Sequence, residues 1–268
     1  MKKSIKQQQL EKRILKMLSG KAKAAAELVF ADPELQALQE YANIVSIKRL
    51  GFNDHGPVHT RMATINTIRM FKLLNEAGIQ MNLEKEGVGT ADDSLTGVIL
   101  AALLHDLGMS IARDGHELIS IELARPFIDR VVNAIHETHE YELKAAIKSI
   151  AIEGIFGHMA TYKIHSLEAG LVLIGDGSDM EKGRARISVL LSDKVRVGDI
   201  HRTSASSITK VRIVKGKEKP IRIEVEMESS VGFFQIEQVF FPKINISPVK
   251  PFIELYAGVI GEEMLKYL

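Results

Sequence analysis

Residues 98–108 read Val-Ile-Leu-Ala-Ala-Leu-Leu-His-Asp-Leu-Gly. The run from Val98 to Leu104 has no polar face, and a helix that is apolar all round is expected in the interior of a fold. His105 and Asp106 therefore close a buried helix. An ionised carboxylate left there without a partner costs on the order of several kcal/mol. Either a hydrogen bond from the adjacent imidazole or a bound cation answers that cost, and the dipeptide alone does not decide between them. The pattern predicts a helix over residues 94–107, with Asp93 as its cap and Gly108 as a left-handed stop.

Outward from this run the helical period continues. Residues 5–50 carry Leu10, Ile14, Leu18, Leu28 and Val29, then Asp32-Pro33 as an N-cap and first-turn proline before Leu35, Leu38, Ala42 and Val45. Residues 51–57 are turn chemistry, and residues 58–74 return to helical spacing with His59 in their first turns. Further helices are expected at 117–133, 141–156, 166–174 and 184–197. After Ser204 the period changes to two, through Ile208, Val211 and Ile213, then Ile221, Ile223 and Val225, then Phe233, Ile236 and Val239. A last amphipathic helix is expected to carry Ile253, Leu255, Ile260, Met264 and Leu268. The fold class is thus mainly α, with a small C-terminal α+β domain containing an antiparallel sheet. The divisions are N-terminal helices at 1–50, a helical domain at 51–203 that contains the His105-Asp106 pair, and sheet plus helix at 204–268.

Composition narrows the chemistry. The 268 residues include 35 Lys and Arg against 34 Asp and Glu, a balance that argues against nucleic acid or an anionic membrane as the main partner. No cysteine is present, so any metal must sit on His and carboxylates. No apolar stretch approaches the ~20 residues that span a bilayer, and the polar start Met-Lys-Lys-Ser reads as cytoplasmic.

The remaining histidines favour the cation over the simple hydrogen bond. His59, His116 in Arg113-Asp-Gly-His, His158 in Phe156-Gly-His and Asp176 in Ile174-Gly-Asp each flank an apolar segment. The order His59, His105-Asp106, His116, His158, Asp176 resembles the H…HD…H…H…D pattern of the HD superfamily of metal-dependent phosphohydrolases, over roughly residues 50–200. The resemblance implies an HD-domain helical bundle with one or two divalent ions, among Mn, Fe, Zn, Co, Ni or Mg. It implies His59, His105, Asp106 and Asp176 as core ligands, with Asp106 bridging and His116 and His158 holding a second ion. Such ligands can bind a phosphoester and activate water without a Cys or Ser nucleophile.

Many relatives carry a Lys soon after the His-Asp pair, whereas this chain continues Leu107-Gly108-Met109. Arg113, Arg184, Arg186 and Lys194 are the candidate cations for phosphate oxygens. His55 lies four residues before His59, but Gly56-Pro57 put it ahead of the helix. His136 and His139 have the wrong spacing for a His-Glu-x-x-His protease motif and are expected as solvated helix-end residues. Asp179 and Glu117 are expected as helix-capping carboxylates or acid–base groups. The leading expectation is hydrolysis of a nucleotide or other small phosphoester by a homo-oligomeric enzyme. A non-catalytic metal- and nucleotide-binding sensor is the alternative. A nuclease is a third, motivated only by the basic run Lys210, Arg212, Lys215, Lys217, Lys219 and Arg222, and opposed by the lack of interleaved aromatics.

Overall fold

The structure, a computed structural model, describes residues 3–182 and 200–268, apart from the side chains of residues 201 and 202. The expected helix at 184–197 lies outside the described residues, as do Arg184, Arg186 and Lys194.

The apolar run folds as α6 (Ala91–Leu104), entered through a capping box in which the Thr90 hydroxyl and the Asp93 carboxylate exchange hydrogen bonds with each other's backbone N–H. Thr90, not Asp93, is thus the N-cap. Every residue from Val98 to Leu104 is buried. Around α6 pack α2 (Gly20–Ala31), α4 (Pro57–Glu76), α8 (Tyr141–Gly157) and α9 (Leu167–Gly177). The shell is completed by α1 (Ile5–Met17), α3 (Pro33–Ile44), the short α5 (Asn82–Lys85) and α7 (His116–Ile135). Asp32 caps α3 as expected, accepting from Leu35 N–H at 3.0 Å.

Two glycines set helix separations that bring the candidate ligands together. A Cβ on Gly108 would lie 2.1 Å from the His116 carbonyl oxygen, and one on Gly175 would lie 1.8 Å from Thr67 Oγ1. The first draws the start of α7 onto the end of α6, and the second draws α9 onto α4. Gly108 is not in the left-handed conformation expected for it, because the chain continues from α6 into a 3₁₀ turn, Leu107–Ser110.

The C-terminal part contains α10 (Ile200–Ser207), β1 (Ile208–Lys215), β2 (Ile221–Met227), α11 (Gly232–Gln235), a π turn at Ile236–Phe240, α12 (Phe241–Ile246), β3 (Ile253–Val259) and β4 (Leu265–Lys266). The sheet order is β1-β2-β3-β4. β1 and β2 form the expected antiparallel hairpin, but β2 and β3 run parallel, with Ile221 opposite Ile253, so the sheet is mixed.

Two local expectations fail here. Residues 233–239 are helical, because Ile236, Phe240 and Ile244 repeat every four residues and are all buried, which a strand cannot achieve. Residues 253–259 are a strand, because Ile253, Leu255 and Ala257 alternate and are all buried. The inner sheet face joins Met70, Phe71 and Leu74 of α4 and Leu171 and Ile174 of α9 in one apolar cluster.

The start of α4 is tied down by a buried charge. Arg61 donates to Glu11 Oε1 at 2.9 Å and to Gln39 Oε1 at 2.6 Å, linking α4 to α1 and α3, and its guanidinium lies over the Phe30 ring. Removing one partner of a buried pair strands the other. Arg61→Ala is therefore expected to cost roughly 3–5 kcal/mol in denaturant unfolding; a loss below about 1 kcal/mol would show that this network does not hold α4.

Candidate metal centre

His59 stands on the first turns of α4, His105 and Asp106 follow α6, His116 opens α7, His158 ends α8, and Asp176 lies near the end of α9. The structure brings these residues into one buried cluster, each with no more than 6% of its surface exposed.

The proton positions follow from the outer partners of the rings. His105 Nδ1 lies 3.0 Å from the Ala102 carbonyl, His116 Nδ1 2.8 Å from the Arg113 carbonyl, and His158 Nδ1 2.6 Å from the Ile155 carbonyl. A carbonyl only accepts, so each Nδ1 carries the proton and donates. His59 Nδ1 donates to Asp179 Oδ2 at 2.7 Å in the same way. In the neutral rings every Nε2 is then a lone pair.

Those lone pairs converge. His59 Nε2 and His105 Nε2 are 3.2 Å apart, and each is 3.2 Å from Asp106 Oδ2. His116 Nε2 and His158 Nε2 are 3.0 Å apart, at 3.3 and 3.5 Å from Asp106 Oδ1. Asp176 Oδ1 adjoins the first group, 3.1 Å from His59 Nε2 and 3.6 Å from His105 Nε2. Acceptors face acceptors, and Asp106 Oδ2 is buried without a hydrogen-bond partner. Donor atoms about 2.1 Å from a common ion stand about 3.0–3.4 Å apart in octahedral or tetrahedral sites, so these separations are those of neighbouring ligands. The residues fit one divalent cation at His59, His105 and Asp106, and a second at Asp106, His116 and His158.

The titration directions express the same conflict. Burial disfavours charge on His105, yet the Asp106 and Asp176 carboxylates beside it push its pKa up to about 9. For His158 burial prevails, with the His105 charge adding to it, and the pKa falls to about 4. Burial would raise Asp106, but His105 and then His55 hold it well below the usual carboxylate range. Asp176 is held down against burial first by Lys243 and then by His105 and His59.

Lys243 escaped the sequence reading. From α12 its Nζ donates to Asp176 Oδ2 at 2.6 Å and to the His158 carbonyl at 2.9 Å, which fixes Asp176 with Oδ1 toward the histidines. The available signal was a lysine among Phe240, Phe241 and Ile244, where a solvated role is out of place. Asp179, expected as a capping or acid–base group, holds the outer nitrogen of His59 instead.

Other candidates fall differently. His55 does precede α4, yet it is buried with its ring 5.9 Å from that of His59, and its Nδ1 lies 2.7 Å from the Asn53 carbonyl. Arg113 contributes its carbonyl to His116, while its guanidinium lies 5.3 Å from the centre of the Phe52 ring. Glu117 is buried with Oε2 3.6 Å from His116 Nδ1. His139 is exposed as expected, whereas His136 does cap the end of α7 but is buried beside Lys21 Nζ at 3.1 Å rather than solvated. Its alternating neighbours hid this, because its partners come from α2 and α6. In the basic run, Arg212 pairs with Glu224 and Glu226, Arg222 with Glu224, and Lys219 donates to the Ile253 carbonyl. Among the described residues no helix is long and apolar enough to cross a membrane.

No family model and no solved structure matches the chain. The uncharacterized protein MJ1020 of Methanocaldococcus jannaschii is 35% identical over 249 residues, covering 93% of each chain.

Two outcomes follow from this geometry. A raised histidine pKa stabilises fully below the ordinary value of 6.5 and is lost as pH rises toward about 9; a depressed one stabilises above 6.5 and is lost as pH falls toward about 4. Without metal, the melting temperature should therefore fall on the alkaline side of 6.5 through His105 and on the acid side through His158. Saturating divalent metal should raise it and remove the alkaline fall, and a metal-free melting temperature that rises from pH 7 to 9 would contradict the assignment. Separately, Lys243→Met should weaken metal binding by about 10–100-fold in equilibrium dialysis, the usual effect of losing a group that orients a ligand.

Proposed function

We propose that this chain, which belongs to the same family as the Methanocaldococcus protein, is a metal-dependent phosphohydrolase of the HD superfamily acting on a nucleotide or other small phosphoester. The observation that carries the reading is Asp106, whose oxygens each face a pair of imidazole lone pairs in a buried, acceptor-only cluster. His59, His105, Asp106 and Asp176 would hold one divalent ion, and Asp106, His116 and His158 a second. Bound there, such ions supply Lewis acidity toward a phosphoryl oxygen and a water acidified enough to act as hydroxide near neutral pH.

The protein's own share is orientation and exclusion of bulk water. The carbonyls of Ala102, Arg113 and Ile155 and the carboxylate of Asp179 fix each ring with Nε2 inward, before any ligand arrives. Lys243 does the same for Asp176 and neutralises its outer oxygen. The apolar end of α6 seals the cluster from below, and the low local dielectric there strengthens every charge contact. Arg113, next to the His116 side, is the described candidate for binding phosphate oxygens. Arg184, Arg186 and Lys194 keep that role only as candidates from the sequence.

The sensor reading keeps one observation in its favour. Lys243 belongs to the C-terminal part and touches Asp176 directly, so occupancy of the centre and packing of the sheet are physically linked. The nuclease reading is weakened because Arg212 and Arg222 of the basic run are paired with carboxylates.

Turnover decides between the first two. Purified protein with added Mn, Zn, Co, Ni, Fe or Mg should release phosphate or nucleoside from members of a nucleotide and phosphomonoester panel. Asp106→Ala should lower that rate by more than about a hundredfold, beyond the range for loss of a merely orienting group. Binding of a nucleotide without any metal-stimulated release would favour the sensor instead.

A further inference from the structure

A cavity of ≈ 470 Å³ opens between α1, α4 and β1, with Arg13, Arg69, Lys210 and Asp179 among its lining residues. Asp179 is where it meets the metal centre. That carboxylate bonds His59 Nδ1, the nitrogen pointing away from Asp106 and Asp176, so the cavity borders His59 from the side opposite its Nε2.

The cations of this cavity outnumber its carboxylates, Asp179, which accepts from His59 Nδ1, and Glu181, which accepts from the Val211 N–H at 3.0 Å. Arg212 is taken up by Glu224 and Glu226. Among the described residues, Arg13, Arg69 and Lys210 have neither an ion pair nor a side-chain hydrogen bond. Arg69 is half-buried, and burial together with the neighbouring Arg13 charge lowers its pKa against the opposing pull of Glu181. Three cations against two carboxylates in a concavity leave an excess of positive charge that an entering anion relieves. Two guanidinium forks and an ammonium, brought from three elements distant in sequence, offer the donors that phosphate oxygens accept.

We propose that this cavity is a binding site for a phosphate-bearing polyanion, separate from the metal centre, with Arg13, Arg69 and Lys210 as its oxygen-binding groups. The site requires no turnover, so it stands whether or not the chain is a hydrolase.

Titration calorimetry of the metal-free chain with inorganic phosphate, pyrophosphate and linear triphosphate tests it. Affinity should rise with the number of phosphates and fall with added salt. Arg13→Gln and Lys210→Gln, both at exposed positions where the fold tolerates change, should each weaken triphosphate binding about tenfold, as loss of a charge-assisted hydrogen bond does. Asp106→Asn should bind as tightly as the parent. The assignment is overturned if none of these anions binds, if neither Gln variant weakens binding, or if Asp106→Asn tightens it about tenfold or more, as removal of a carboxylate beside the anion would, which would put the anion at the metal centre.

Discussion

The structure turns on one carboxylate. Asp106 lies at the end of a helix with no polar face, among imidazoles whose protons are all directed outward to carbonyls or to Asp179. While the rings are neutral its oxygens and the facing nitrogens are all acceptors, and a buried set of acceptors is unstable without positive charge. In the metal-free protein a proton on His105 supplies part of that charge, and Lys243 supplies more against Asp176. Ligand separations near 3 Å are the spacing at which a small cation satisfies the set better than a proton, because it can be shared by several donors at once.

The rest of the fold reads as the means of holding that arrangement. Each ligand comes from a helix end or first turn, where backbone carbonyls are available to fix an imidazole. Gly108 and Gly175 let α7 and α9 approach closely enough to place His116 and Asp176. The Arg61 network anchors α4 two residues beyond His59. The C-terminal part does more than cover an apolar face, since α12 places an ammonium on a ligand oxygen. The C-terminal part is thus in direct contact with Asp176.

Much of this was legible in the chain. The run from Val98 to Leu104 announced a buried helix, and the order of His59, His105-Asp106, His116, His158 and Asp176 gathered residues that the structure places together. What was not legible depended on tertiary approach. Lys243 and Asp179 reach their partners across 67 and 120 positions of sequence, and no local period encodes that. Gly108 was read as a conformational stop because a C-cap is a local signal, whereas its actual demand, room for the His116 carbonyl, comes from another helix. The C-terminal errors have a different origin. Spacings of three at Phe233, Ile236 and Val239 were read as alternation, and a true alternation at Ile253, Leu255 and Ala257 was absorbed into a helix.

The central claim is that imidazole nitrogens and the Asp106 carboxylate enclose bound cations. X-ray absorption at the metal K-edge of the loaded protein tests it most directly. The account predicts N/O scatterers at about 2.0–2.2 Å with the multiple-scattering signature of more than one imidazole, as expected for first-row divalent ions on His and carboxylate. A spectrum of water or carboxylate oxygen alone, with no imidazole contribution, would contradict it.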